Sequence, residues 1–325
     1  KHQYLPIDIP FFINSFLSKW NPKILILLET EIWPNLINIC KSRGISTALV
    51  NARLSEKSKK IYLNYSSLIK PVIEKIDLIL TQFESDKRRF QEIVERKDIN
   101  TCGNLKFDQD VPPELEVISK SIKQDWSIDG KYRPTLIAAS THETEEEEVL
   151  RAFKQILKSS PNALLILVPR HLERFDKVKK LINASGLTLA SRSKKDEVKR
   201  STQVLLGDTI GELNFLYSLS DVAFVGGSLI DHGGQNLLEP ASQGLALLSG
   251  PSLRNFSDIS EQLKQNDGLK IVNDSIELSD RFIEYITDDK ARERAGNNAL
   301  EIFMKNRGAL RNICYHLELL LKESI

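Results

Sequence analysis

Short runs rich in Ile, Leu and Val recur along this chain, and each is followed by a stretch with helical spacing. The early runs are Lys23–Glu29, Ser46–Asn51, Asp77–Gln82 and Ile99–Gly103. The later ones are Thr135–Ser140, Ala163–Pro169, Gln203–Gly207, Asp221–Gly227, Ala246–Gly250 and Leu269–Val272. Near-continuous apolar strands joined by helical crossovers specify α/β architecture, with parallel sheets covered on both faces. Helices are predicted over Pro34–Ser42, Ser55–Ile73 and Glu84–Val94, and over most of Ser279–Leu321. The rhythm breaks between Phe107 and Asp129, where Pro112-Pro113, one helix and the segment WSIDGKYRP intervene. A length of 325 residues suits about two domains. The expected organisation is the later part of a Rossmann-like domain over 1–108, a linker over 109–131 and a second doubly wound domain over 132–306. A C-terminal helix over 307–325 is expected to pack back on the first domain.

Bulk properties remove several classes. The formal net charge of +1 provides no field that would draw nucleic acid. Cys40, Cys102 and Cys314 are far apart and lack metal-ligand spacing, which fits a reducing compartment. No apolar window of ~20 residues is present. No signal peptide is visible, and the chain begins at Lys1, so its N-terminus reads as cut. Phe12, Ile13, Phe16, Leu17 and Trp20 share a helical face expected to pack on the sheet or to rest in part on a membrane interface. Ser191–Arg200, SRSKKDEVKR, reads as a solvated charged loop.

The segment Val204–Gly244 carries the densest chemistry. It reads as strand, glycine turn, short helix, strand, Gly226-Gly227, loop and a helix with Glu239 in its first turn. Such parts hold a nucleotide beyond the carboxyl ends of parallel strands. A carboxylate at Glu239 can accept both ribose hydroxyls, while free helix N–H groups face phosphate. Gly226-Gly227-Ser228 lets backbone approach a ligand, and Gly211-Glu212 opens a helix after GDT; the alternative is a Gly-Gly pair that serves packing and a Glu239 on the surface. Pro169-Arg170-His171 ends a strand, and Arg170 there can fork onto a phosphate. Ser140 or Thr141 reads as an N-cap, with His142 a further candidate.

In the first half, Glu29 and Glu31 sit at a strand's carboxyl end, on one side if the period of two continues. Arg53 either meets an anionic substrate or pairs with one of those glutamates. Lys106, in GNLKFD before the linker, offers a cation for a leaving phosphate. HExxH, CxxC, GxxxxGK[ST] and GxSxG motifs are absent.

Together, ETEIWPNLI, NARLSEKS, GNLKFD, ASTHETEE, LILVPRH, GDTIGELNFLYSLSDVAFVGGSL and GGQNLLEPAS resemble the bacterial 3-deoxy-D-manno-octulosonic acid (Kdo) transferases of lipid A assembly, essentially end to end. The resemblance implies a GT-B fold of two Rossmann-like domains facing a cleft, the first incomplete here. It implies transfer of Kdo from CMP-Kdo to the lipid A precursor (lipid IVA) with inversion, at the cytoplasmic face of the inner membrane, with no metal or cofactor. Glu31 and Lys106 match transition-state stabilisers; Pro169, Arg170, Ile210, Gly211, Glu212, Asn236, Leu237, Leu238 and Glu239 match the CMP site. The membrane anchor and the general base of the family fall before Lys1, so the chain alone is expected to be inactive. The alternatives are a nucleotide-sugar epimerase of the same fold and an inactive CMP-binding fragment.

Overall fold

The structure is a computed structural model that describes residues 2–108 and 112–323. Two compact units form: residues 1–108 with 306–325, and residues 109–305.

The first unit holds a parallel sheet of β1 (Ile24–Leu28), β2 (Ser46–Ala52), β3 (Leu78–Thr81) and β4 (Ile99–Thr101), in that order. Helices α1 (Pro10–Trp20), α2 (Pro34–Ser42), α3 (Glu56–Asn64), α4 (Ser66–Ile73) and α5 (Glu84–Ile93) pack with it. β2 is buried along its whole length. β1 is not: it is an edge strand, and Ile26 and Leu28 are exposed, so an unbroken apolar run does not by itself guarantee burial. The helix predicted over Ser55–Ile73 is two, broken at Tyr65 (φ −111°, ψ 32°), where Asn64 and Ser66-Ser67 lower helix propensity. On α1 the buried seam is narrower than predicted. Ile13 and Leu17 are buried, whereas Phe12 and Trp20 are exposed.

The second unit holds α6 (Pro113–Asp125), β5 (Thr135–Thr141), α7 (Glu145–Ser159), β6 (Leu164–Pro169), α8 (Phe175–Ala184), β7 (Leu189–Ser191) and β8 (Val204–Leu206). It continues through α9 (Leu213–Ser218), β9 (Val222–Val225), α10 (Leu238–Ser242), β10 (Ala246–Ser249), α11 (Ser257–Gln265), β11 (Leu269–Ile271), α12 (Ser275–Thr287) and α13 (Asp289–Lys305). Its sheet is parallel, in the order β11-β10-β9-β5-β6-β8-β7. The chain winds outward from β5 through β6 in one direction, then restarts at β9 on the other side. The topological switch point therefore lies between β5 and β9, where α/β sheets bind ligands beyond their carboxyl ends. Both faces are covered, since β5, β6 and β9 are buried at every position, and Leu136, Ala138, Phe153, Leu165, Phe224 and Phe282 belong to one core.

Residue Ser191, predicted to open a solvated loop, closes the edge strand β7 and is 1% exposed. Its hydroxyl donates to Asp208 at 2.6 Å. The strand, Leu189-Ala190-Ser191, has one large aliphatic residue followed by two small ones, so no apolar run marks it in the sequence. Helix α6 belongs to this unit, where Lys123 pairs with Asp221 at 2.8 Å.

The last helix, α14 (Ala309–Glu323), belongs to the first unit. Asp108 accepts the N–H groups of Gly308 and Leu310, each at 2.6 Å, and so caps it. Ile313 then packs with Ala48, Val50 and Leu80. No described helix is long and apolar enough to cross a membrane.

Candidate active site

In the first unit the predicted residues all follow the carboxyl ends of strands. β1 stops at Leu28, and Glu29 has φ +57°, so the alternation expected to align Glu29 with Glu31 ends there. Glu31 is exposed in the turn before α2, and its Oε2 accepts Trp33 Nε1–H at 3.0 Å. That turn is held from a distance: Asp8 accepts the N–H groups of Asn35 and Leu36 and caps α2, whose Pro34 starts the helix. Arg53 is exposed, and among the described residues no ion pair joins it to Glu29 or Glu31.

Lys106 is half-buried in the turn after β4. Its backbone N–H donates to Asn104 Oδ1 at 3.0 Å. Asn104 Nδ2 donates to Gln82 Oε1 at 2.9 Å, and Gln82 Nε2 donates to the Asn51 carbonyl at 2.9 Å. Asn51 Oδ1 in turn accepts Leu105 N–H at 3.1 Å. Amide side chains from the ends of β2 and β3 thus fix the Lys106 turn. Asn51 sits at φ +51°, a left-handed conformation that asparagine tolerates better than most residues. Sequence reasoning passed over Asn51, Gln82 and Asn104 as components of this site.

The second unit's edge is organised by Glu145, which the sequence reading did not single out. Glu145 is fully buried. Its carboxylate accepts N–H groups from His142 (3.0 Å), Gly227 (2.7 Å), Ser228 (2.9 Å) and Leu229 (2.9 Å). Two expectations change. Neither Ser140 nor Thr141 caps α7; the N-cap position is Thr144, and Glu145 reaches back to His142. The Gly-Gly loop does not offer its amides to a ligand, because the acid already holds them. Gly226 is required by the protein's own packing: a Cβ there would lie 2.8 Å from the Ser140 carbonyl oxygen and the Thr141 Cα. The H-x-x-E spacing of His142 and Glu145 was the available signal.

His142 is 7% exposed and lies against His232 (ring centroids 4.2 Å) and His171 (5.3 Å). Burial, and then the neighbouring His232, push its pKa below the ordinary imidazole value. A base whose folded pKa is depressed stabilises the fold above its unfolded pKa and loses that contribution as pH falls through the folded pKa. Thermal unfolding scans from about pH 7.5 down to 5 are therefore expected to decline less steeply in His142→Gln than in the wild type.

Of the predicted nucleotide residues, Pro169 closes β6 and is buried, while Arg170 beyond it is exposed and donates its N–H to the Thr141 carbonyl. Ile210 is exposed beside Gly211, whose φ of +79° suits glycine. Glu212 precedes α9 rather than opening it. Its carboxylate is gripped by Arg192 at 2.7 and 3.1 Å, which holds its pKa below the usual carboxylate value. Leu237 and Leu238 are core residues. Asn236 Oδ1 accepts Leu238 N–H, and Asn236 Nδ2 donates to Glu239 Oε1 at 2.9 Å. Glu239 is thus oriented and half-exposed, beside the buried Tyr217, whose pKa is raised by burial and then by that carboxylate. α9 and α10 have six and five residues and are tied by Gln243 donating to the Asn214 carbonyl. Helices this short build little macrodipole, so the expected helix-tip attraction for phosphate is weak and one α10 N–H is already taken.

A family profile described as 3-deoxy-D-manno-octulosonic-acid transferase (kdotransferase) matches residues 1–109, and one described as glycosyl transferases group 1 matches residues 120–302. The 3-deoxy-D-manno-octulosonic acid transferase of Haemophilus influenzae is 39% identical over 96% of this chain, which spans 73% of that relative. The chain belongs to the Kdo transferase family. Within the Kdo transferase family, a crystal structure of the C-terminal CMP-Kdo binding domain of WaaA from Acinetobacter baumannii is 33% identical, covering 58% of this chain and 97% of that domain with a TM-score of 0.55. A glycosyltransferase from Rickettsia africae, 15% identical, matches over 100% of this chain and 84% of its own with a TM-score of 0.60, a likeness of fold. The two Rossmann-like sheets of this Kdo transferase family member are those of the GT-B glycosyltransferases.

Proposed function

We propose that this chain acts in the transfer of Kdo from CMP-Kdo to the lipid A precursor lipid IVA, with inversion, at the cytoplasmic face of the inner membrane. One observation carries the reading: Asn236 orients Glu239 at 2.9 Å, in a unit 33% identical to a solved CMP-Kdo binding domain. In this reaction the acceptor hydroxyl oxygen bonds to the anomeric carbon while the bond from that carbon to the CMP phosphate oxygen breaks. The acceptor gives up its proton to a base, and CMP leaves with the electron pair. Oxocarbenium character builds on the sugar and negative charge on the phosphate.

Glu239 holds the ribose hydroxyls. Ile210 offers an exposed apolar surface to the base, and Gly211 gives backbone access beside it. Arg170 receives phosphate as a planar fork. Lys106 stabilises the leaving charge, and Glu31, oriented by Trp33, stabilises positive character or the acceptor side. The carboxylate of Glu212 is committed to Arg192, so its contribution is the backbone turn into α9. The test is incubation of the full-length gene product with CMP-Kdo and lipid IVA, followed by mass spectrometry of the lipid. The expected product is the lipid plus one or more Kdo residues with matching CMP release. Conversion of a UDP-sugar to free sugar and UDP, with no change in the lipid, would contradict the proposal.

A further inference from the structure

We propose that His142, His171 and His232, with Arg170, form a carboxylate-binding subsite that makes this nucleotide site selective for a sugar acid. The inference rests on the reading of the second unit as the CMP-Kdo site and adds the part of the donor that the ribose and phosphate contacts leave unread.

Position is the first argument. His142 follows β5, His171 follows β6 and His232 lies in the loop after β9, so the cluster straddles the switch point of the sheet. The His142 ring is 4.2 Å from His232 and 5.3 Å from His171, centroid to centroid. Arg170 adjoins through its N–H bond to the Thr141 carbonyl.

Elimination is the second. The loop amides of Gly227, Ser228 and Leu229 are held by Glu145, and the Leu238 amide is held by Asn236. An anion arriving here is met by side chains. Glu145 is the acid facing His142, and its oxygens already accept four N–H groups, so it offers little to attract a cation.

The third argument is the proton. Gln235 Nε2 lies 3.0 Å from His142 Nε2, and an amide nitrogen only donates. His142 Nε2 is then the acceptor, and the ring proton sits on Nδ1, with which no described residue pairs. An imidazole N–H left without a described protein acceptor suits an incoming oxyanion. The donor of a ketose acid supplies one beside the phosphate, because carboxylate and phosphate are bonded to the same anomeric carbon. Arg170 then takes the phosphate and the imidazoles take the carboxylate. The groups facing His142 are His232, Glu145, His171 and Arg170, and burial with the two imidazoles lowers the His142 pKa. Binding an anion raises the imidazole pKa, so affinity falls as pH rises through the bound value.

The probes are CMP-Kdo and cytidine 5′-(methyl phosphate), a phosphodiester without the carboxylate, measured by calorimetry on wild type, His142→Gln and the exposed-site variant His232→Gln. Each variant is expected to bind CMP-Kdo roughly tenfold or more weakly and the methyl phosphate within about twofold. In the wild type, CMP-Kdo affinity is expected to weaken between about pH 6 and 8 more than methyl phosphate affinity does. Equal losses for both ligands, or none for either, overturn the subsite. Wild-type protein that binds neither ligand overturns the nucleotide reading itself, and the subsite with it.

Discussion

Replacing Glu145 with alanine is expected to cost roughly 4 kcal/mol of stability and to abolish nucleotide binding. The carboxylate is fully buried and accepts four backbone N–H groups from two separate loops. Alanine leaves those buried donors without their acceptor. Each buried donor left unpaired costs about 1–3 kcal/mol, offset in part by water and by loop relaxation. Glu145→Gln keeps one acceptor oxygen and turns an NH2 group toward the remaining amides, so an intermediate loss is expected. Urea unfolding reports the size of the effect. Hydrogen exchange reports its place: Gly227, Ser228 and Leu229 amides, protected in the wild type, should exchange fast in Glu145→Ala while the β2 and β3 amides of the first unit stay protected. A loss under about 1 kcal/mol, or uniform loosening of both units, would show that Glu145 does not organise this edge.

Lys106→Ala is expected to lower kcat by about 10²–10³, close to 3 kcal/mol of barrier, with donor KM changed less than about threefold. The split follows from the role. A cation that meets charge present only as CMP departs contributes to the transition state and little to the bound ground state. The amide relay through Asn51, Gln82 and Asn104 fixes the backbone turn that carries it, so the turn is expected to stay in place. Steady-state kinetics of CMP release by the full-length gene product, with lipid acceptor present, checks this. A rise in KM with kcat unchanged would place Lys106 in ground-state binding instead.

The strands other than β7 were legible because each carries an aliphatic run bounded by turns, and Glu239 because it falls in the first turn of a helix. What escaped notice depends on distant segments meeting. Glu145 sits in a run of acids, Glu145 to Glu148, that reads as a solvated helix start; only the fold sets the amides of Gly227 to Leu229, more than 80 residues onward, against it. Asp8 capping α2 and the amide relay behind Lys106 have the same character. β7 escaped because Leu189-Ala190-Ser191 has a single large aliphatic residue and so shows no apolar run. The Gly-Gly motif was legible as a close approach, but the partner it approaches is the protein's own backbone at Ser140 and Thr141.

Calorimetric titration of the wild type and Glu239→Ala with CMP and UDP bears most directly on the donor site. The expected result is one CMP bound per chain by the wild type, at least about tenfold weaker binding by Glu239→Ala, and poor binding of UDP by both. CMP affinity untouched by loss of that carboxylate, or UDP bound as well as CMP, would contradict the assignment.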